Sequence, residues 1–164
     1  MIEKTYPIAE KLIFDALLLA QQLNEQLHQE AHALKKPQQP ETIIVIAAYK
    51  KQLVCKLEQF SDHLGRVLAT ENLPNSRQGI ADYFQRAEMA NLTTLDAKNN
   101  WESIKRISVE SKILNEQNGA SLDLLARHTT RSLQILKGKS LFANTYGRDG
   151  ITKNDSYRRS LVVA

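Results

Sequence analysis

The chain has 164 residues, with 22 Lys and Arg against 18 Asp and Glu, which gives a formal net charge of +4. Its single cysteine, six glycines and four prolines exclude collagen-like, disulfide-dense and low-complexity classes. The longest uninterrupted apolar run, Ile43 to Tyr49, has seven residues, against the roughly 20 that a membrane span needs. The first residues show no basic-then-apolar signal pattern, so we expect a cytoplasmic protein without membrane insertion.

The positive charge is concentrated at the carboxyl end. Residues 1–136 contain 16 basic and 16 acidic side chains, whereas residues 137–164 contain six basic and two acidic ones. A nucleic-acid-binding domain more often has a basic stripe across its folded body, so we expect no nucleic-acid partner. Residues 138–164 hold half of the glycines and lack a sustained helical stripe. The sequence therefore predicts a domain over residues 1–137 and a flexible basic tail over residues 138–164.

The first predicted helix covers about residues 7–34. Pro7 suits a first helical turn, and Thr5 is placed to cap it. One face of this helix is apolar at intervals of three and four residues: Leu12, Ala16, Leu19, Leu23, Leu27, Ala31 and Leu34. Glu30 is placed away from the centre of that face. The polar residues 35–40 form a connector, and a short connector predicts that the next helix packs antiparallel to the first.

The second predicted helix covers about residues 41–71 and has the most regular period. Its inward positions alternate by three and four: Ile43, Ile46, Lys50, Leu53, Leu57, Phe60, Leu64 and Val67. Seven of these eight residues are apolar, with Lys50 as the exception, and the spacing is coiled-coil-like. About 30 residues at about 1.5 Å each give a rod of roughly 45 Å, which predicts an elongated bundle.

Two further helices are predicted beyond Pro74. Ser76 is a plausible cap for a helix over residues 77–90, and residues 91–94 predict a break. Residues 95–136 keep a helical period, either as one helix through Gly119, which we favour, or as two. No run shows strand alternation. The predicted fold is therefore all-α: an elongated antiparallel bundle of long, coiled-coil-like helices, followed by the basic tail.

Side chains that could carry chemistry are sparse. His28 and His32 have metal-ligand spacing, but Gln29 stands where a zinc protease has glutamate, and a third ligand is not evident. Cys55 lies in the apolar second helix, so we expect a buried and inert thiol. There is no glycine-rich phosphate loop and no sign of a carboxylate pair in a pocket. We expect no enzymatic activity, no catalytic residues, no cofactor and no metal.

Binding is the better-supported class of function. Residues 114–136 form an amphipathic stretch, and an apolar stripe that its own bundle leaves uncovered can accept a partner helix. The alternative is that Leu122, Leu125, Leu133 and Leu136 complete the core of the bundle. On the stripe alone we favour the core interpretation.

Two motifs near the carboxyl end resemble those of a known family. Residues 114–119 read Leu-Asn-Glu-Gln-Asn-Gly, with leucine at 122, 124 and 125. This string resembles the Asn-x-x-Asn-Gly signature of the flagellar export chaperone FlgN family. Leucine at 133 and 136 and then Thr-Tyr-Gly-Arg-Asp-Gly over residues 145–150 resemble that family's Tyr-Gly-x-x-Gly element.

The resemblance implies a non-enzymatic chaperone that binds the hook–filament junction proteins FlgK and FlgL in the cytoplasm and delivers them to the export apparatus. It implies a client-binding region near the C-terminus, to which we assign Leu114, Asn118, Gly119, Leu122, Leu125, Leu133 and Leu136. It also implies that a tyrosine docks to the export gate protein FlhA, and Tyr146, with Gly147 and Gly150, matches that element. We expect a monomer or homodimer. The alternative is a structural coiled-coil scaffold that self-associates through its second helix.

Overall fold

Four α-helices make up most of residues 1–36 and 40–137, which are the parts of the chain that the computed structural model describes. They are α1 (Ile2–Leu34), α2 (Pro40–Thr70), α3 (Arg77–Met89) and α4 (Leu95–Leu136). These described residues contain no strand, which confirms the predicted all-α class. The chain divides into two units, Met1–Ser121 and Leu122–Ala164, and the second is described as far as residue 137.

The start of α1 differs from the prediction. The helix begins at Ile2 and contains Pro7 in its second turn, and Thr5 lies inside the helix and does not cap it. A proline this near the amino end removes one helical hydrogen bond, the one to the carbonyl of Glu3. Tertiary contacts offset that loss, because Thr5 and Tyr6 are both buried against later parts of the chain.

The core of the first unit lies where α1, α2 and α3 meet the first turns of α4. All eight inward positions predicted for α2 are buried or half-buried. On α1 the buried face is centred about one position away from the predicted stripe, since Ile13, Ala16 and Ala20 are buried and Leu12 and Leu19 only half-buried. Side chains from all four helices form one cluster: Tyr6, Ala9, Ile13, Ala16, Leu64, Leu68, Leu73, Ile80, Tyr83, Phe84, Ala87, Ala97 and Ile104.

Helix α3 begins and ends close to where the sequence predicts. The Ser76 hydroxyl accepts a hydrogen bond from the Gly79 amide at 3.1 Å, which confirms the predicted cap. A Cβ atom at Gly79 would lie 1.9 Å from the Pro74 carbonyl oxygen, so only glycine fits beneath this turn. Asn91 has a φ of 57° in the predicted break between α3 and α4.

Helix α4 runs unbroken through Gly119, as the favoured prediction had it. Residues 138–164, where the sequence predicts a flexible basic tail, lie outside the described residues. The domain boundary between residues 137 and 138 stays a prediction, as do the elongated antiparallel arrangement and the coiled-coil packing. Among the four described helices, none combines the length and apolar character needed to cross a membrane.

Candidate functional site

The carboxyl-terminal part of α4 carries four leucines on one side. At about 100° per residue, positions 122, 125, 133 and 136 fall within an arc of about 80°. Leu122 and Leu125 are each 38% exposed, Leu133 is 49% exposed and Leu136 is 82% exposed. We call these four residues the leucine face. All four side chains are exposed among the residues that the structure describes.

Two more apolar side chains occupy a different side of the same segment. Leu124 is 58% exposed and Ile135 is 56% exposed. They lie about 120–140° around the helix axis from the centre of the leucine face. The segment is therefore apolar on two sides, and Leu124 and Ile135 offer controls of matched chemistry.

The same segment of α4 carries a net positive charge. Residues 122–137 contain Arg127, Arg131 and Lys137 against one carboxylate, Asp123. Arg127 and Asp123 form an ion pair with 2.7 Å between Nη2 and Oδ2, and both side chains are largely exposed. An exposed pair of this kind contributes well under about 1 kcal/mol. The net positive charge of the segment favours an acidic partner over a basic one.

The other residues assigned to client binding lie in the first unit, in three different environments. Leu114 is half-buried and Gly119 is exposed. A Cβ atom at Gly119 would have no neighbour within 4 Å among the described residues. Asn118 is buried, with 4% of its surface exposed.

Asn118 belongs to a polar node that joins three helices. Its Nδ2 donates hydrogen bonds of 2.9 Å to the Leu27 carbonyl and of 2.9 Å to Glu30 Oε2. The same Glu30 oxygen lies 2.6 Å from Lys50 Nζ. We call Glu30, Lys50 and Asn118 the buried polar node. Any part that Asn118 takes in client binding is therefore indirect, because its side-chain amide is already bonded inside the unit.

Sequence periodicity does not predict this node. The periodicity of α1 places Glu30 away from the centre of the apolar face, whereas Glu30 is only 2% exposed in the structure. Lys50 was the only residue in the sequence that indicated a buried polar node, since a lysine in an otherwise apolar series needs a buried carboxylate partner. That partner is 20 residues away in the chain and could not be chosen among the acidic residues of α1 without the tertiary structure.

A second buried polar cluster fixes the start of α1. The Thr5 hydroxyl donates to Glu71 Oε1 at 2.7 Å and accepts from Tyr83 Oη at 3.2 Å. Burial raises the pKa of Tyr83, and the Thr5 hydrogen bond opposes that change. Tyr6 Oη donates to the Thr93 carbonyl at 2.9 Å. Burial is the main cause that raises the pKa of Tyr6 to about 12. These groups hold helices together.

The side chains considered for chemistry are dispersed. His28 Nε2 lies 3.4 Å from Glu110 Oε1, and the described residues contain no group of three metal-binding side chains. Cys55 is exposed, which corrects the prediction of a buried thiol: it lies outside the inward positions of α2. On the surface, hydrogen bonds from Lys98 and then Thr94 lower the pKa of Glu88. Glu88 and Lys98 also form an ion pair, which joins the end of α3 to the start of α4.

The described residues are thus all-α, with apolar side chains exposed near the end of α4 and a polar node bonded inside the first unit. The family profile described as FlgN protein matches residues 10–154, and the chain belongs to the FlgN family. The match includes most of α1, all of α2, α3 and α4, and both motifs near the carboxyl end. Membership implies a flagellar export chaperone role in a family that is not known to be enzymatic. Searches of curated proteins and of solved structures found no match to this chain.

Proposed function

We propose that this chaperone binds the hook–filament junction proteins FlgK and FlgL in the cytoplasm through the leucine face and delivers them to the export gate protein FlhA. The exposure of Leu122, Leu125, Leu133 and Leu136 is the observation that carries the proposal. Leucines arranged at helical spacing and left in water are what a helix-in-groove interaction uses. The proposal includes the predicted antiparallel, coiled-coil-like bundle, which would serve as the scaffold for this face.

The energetics of the face are those of a reversible interaction. Burying a fully exposed leucine contributes roughly 1.5–3 kcal/mol. The four leucines are only partly exposed, so together they contribute several kcal/mol before the cost of ordering the client. An export chaperone has to release its client, and an interface of a few leucines suits that requirement.

The decisive experiment compares the two sides of the carboxyl-terminal part of α4. The Leu125→Gln/Leu133→Gln variant should weaken binding of peptides from the helical ends of FlgK and FlgL by about tenfold or more. The matched control is Leu124→Gln/Ile135→Gln, which removes two leucine-sized side chains from a different side of the helix. Isothermal titration measures binding, and circular dichroism checks that both variants keep the helical content of the parent chain.

Three results would contradict the client-binding proposal. Equal loss of binding in both double variants would mean that general apolarity, and not the leucine face, holds the client. Unchanged binding in Leu125→Gln/Leu133→Gln would move the client site elsewhere. Loss of helical structure in that variant alone would make the two leucines part of the chain's own packing.

Docking to the export gate is proposed from the family motif alone. Tyr146, Gly147 and Gly150 lie outside the described residues, and their role follows from the match to the Tyr-Gly-x-x-Gly element. We expect Tyr146→Ala to weaken binding to FlhA while FlgK peptides bind normally. Tyr157→Ala is the matched control. Weakened client binding in Tyr146→Ala would contradict this separation of roles.

Self-association is a second candidate, and exposed apolar residues on α2 favour it. Ile44 and Val45 are each 67% exposed, and Tyr49 beside them is 38% exposed. A face of this kind can pair with a second copy of the chain. Sedimentation equilibrium over a range of concentrations separates the candidates, because a scaffold assembles strongly without affinity for FlgK or FlgL, whereas a chaperone binds them as a monomer or homodimer.

A further inference from the structure

A groove crosses the first unit between α2 and α4, with α1 as its floor. Its volume is about 440 Å³. Leu23 and Leu27 of α1 lie at its base, and Val54 and Leu57 stand on the α2 side. The α4 side consists of small or polar residues, such as Ser108. Every lining residue belongs to Met1–Ser121, so this site is separate from the leucine face.

The groove remains open because small side chains stand where larger ones would close it. Ala20 forms part of the floor, Ala47 stands on the α2 side and Ser111 on the α4 side. Ser111 is held in place by a hydrogen bond from Asn24 Nδ2 of α1, at 3.3 Å. Val54 is 42% exposed although it belongs to the apolar wall. The described side chains of the first unit therefore leave the space above this apolar surface open.

The charges around the groove have one sign. Lys50, Lys51 and Lys112 line it, and none of the lining residues is a carboxylate. Glu30 neutralises Lys50 from within the buried polar node. Lys51, on α2, and Lys112, on α4, are both exposed, and neither has a carboxylate within ion-pair distance among the residues that the structure describes. An apolar floor thus lies between two available ammonium groups on opposite walls.

We propose that this groove docks an acidic amphipathic helix of a partner protein, with apolar side chains on the floor and carboxylates against Lys51 and Lys112. The lining positions of α2 extend from 47 to 57, which is about 15 Å of helix and therefore matches about three turns of a docked helix. The volume accommodates a few large apolar side chains. The positive charge of the groove favours a negatively charged partner helix and accelerates its association.

The chain's own carboxyl-terminal residues are a poor occupant on grounds of charge. Residues 137–164 have six basic and two acidic side chains, so they carry the same sign as the groove. Like charges placed opposite each other disfavour binding. A second copy of the chain is an alternative occupant, and the experiment below separates it from an acidic partner helix.

The test uses the full chain and two synthetic peptides of about 14 residues, or about four helical turns. One peptide has leucine at helical spacing with glutamate on both flanks, and the other has lysine in place of every glutamate. Fluorescence anisotropy of the labelled peptides should show that the acidic peptide binds about tenfold or more tightly than the basic one. Lys51→Glu/Lys112→Glu should reverse that preference, and Ala47→Trp, which fills the groove, should weaken both peptides.

Two control variants localise the binding. Lys56→Glu changes an exposed lysine of α2 that does not line the groove, and it should alter the affinity by less than about threefold. Leu125→Gln/Leu133→Gln should leave the acidic peptide bound, so failure here is distinguishable from failure of client binding at the leucine face. The proposal is overturned if both peptides bind alike, if Ala47→Trp has no effect, or if sedimentation reveals a homodimer that Lys51→Glu/Lys112→Glu dissociates.

Discussion

Lys50 Nζ of α2 lies 2.6 Å from Glu30 Oε2 of α1, and the two side chains are only 16% and 2% exposed. The pair occupies the one position where the apolar series of α2 is interrupted. Asn118 of α4 bonds to the same carboxylate oxygen, so one charged group joins three helices. A buried polar arrangement of this kind contributes little net free energy but penalises other registers, because any shift would leave a charge unpaired.

Removal of the ammonium group tests that interpretation. Lys50→Met leaves the Glu30 carboxylate buried with only the Asn118 amide as a donor, and it should lower the free energy of unfolding by about 3 kcal/mol. The double variant Lys50→Met/Glu30→Leu should recover much of that loss, since no charge is left without a partner. Urea unfolding followed by circular dichroism measures both changes.

Lys51→Met serves as the control for this pair, because Lys51 is exposed and should change the unfolding free energy by less than about 0.5 kcal/mol. A double variant no more stable than Lys50→Met alone would show that the node stabilises the fold through something other than charge compensation.

Asn118→Ala should also destabilise the chain. Its side-chain amide donates to the Leu27 carbonyl and to Glu30, and the loss of both bonds beside a buried carboxylate should cost about 1–3 kcal/mol. Gln117→Ala, at the exposed neighbouring position, should stay within about 0.5 kcal/mol of the parent chain. Thermal unfolding checks both variants, and equal midpoints for the two would contradict the burial of Asn118.

Gly119→Ala should stabilise α4. The substituted Cβ would enter open space, and alanine favours a helix interior over glycine by about 0.5–1 kcal/mol. If Gly119 also allows a client to approach closely, the same variant should weaken FlgK binding while it raises the unfolding temperature. Calorimetry and titration on one preparation separate the two effects, and a lowered unfolding temperature would mean that the helix is not continuous at this position.

Gly79→Ala should have the opposite effect on stability. Its Cβ would lie 1.9 Å from the Pro74 carbonyl oxygen, so the turn before α3 has to shift. Overpacking of this kind costs about 1–3 kcal/mol. Chemical unfolding gives the value. An unchanged free energy of unfolding would show that Ser76 and Pro74 can move apart without destabilising the fold.

Alkaline pH should weaken the fold through Tyr6. Burial, followed by the negative charge of Glu10, raises the pKa of Tyr6 from 10.0 to about 12. The folded state therefore favours the neutral phenol, and this contribution is complete below pH 10 and is lost as the pH rises from 10 toward 12. Two pKa units correspond to about 3 kcal/mol.

The Tyr6→Phe variant supplies the comparison for that titration. It loses the hydrogen bond to the Thr93 carbonyl at every pH, but its unfolding free energy should fall less steeply above pH 10. Burial also raises the pKa of Tyr83, so some dependence should persist in the variant. Urea unfolding at a series of alkaline pH values measures the slopes, and identical slopes would contradict the role of Tyr6.

Much of the secondary structure could be predicted from local patterns. The regular three-and-four spacing from Ile43 to Val67 placed α2 to within one residue at each end, and Ser76 marked the start of α3. The start of α1 could not be placed this way, because Pro7 favours a first helical turn, whereas the helix begins at Ile2 and its first turns contact distant residues through Thr5 and Tyr6. Cys55 was placed wrongly since the overall apolar character of α2 conceals which side it occupies.

The sequence by itself determined which segments are helical, which family the motifs indicate and where leucines recur near the carboxyl end, because each of these depends on residues close together in the chain. Only the tertiary structure decided which apolar residues stay in water and which charges pair. Burial of Asn118 and the open groove beside Lys51 both depend on how separate helices fill the space between them, and helical periodicity describes each helix alone.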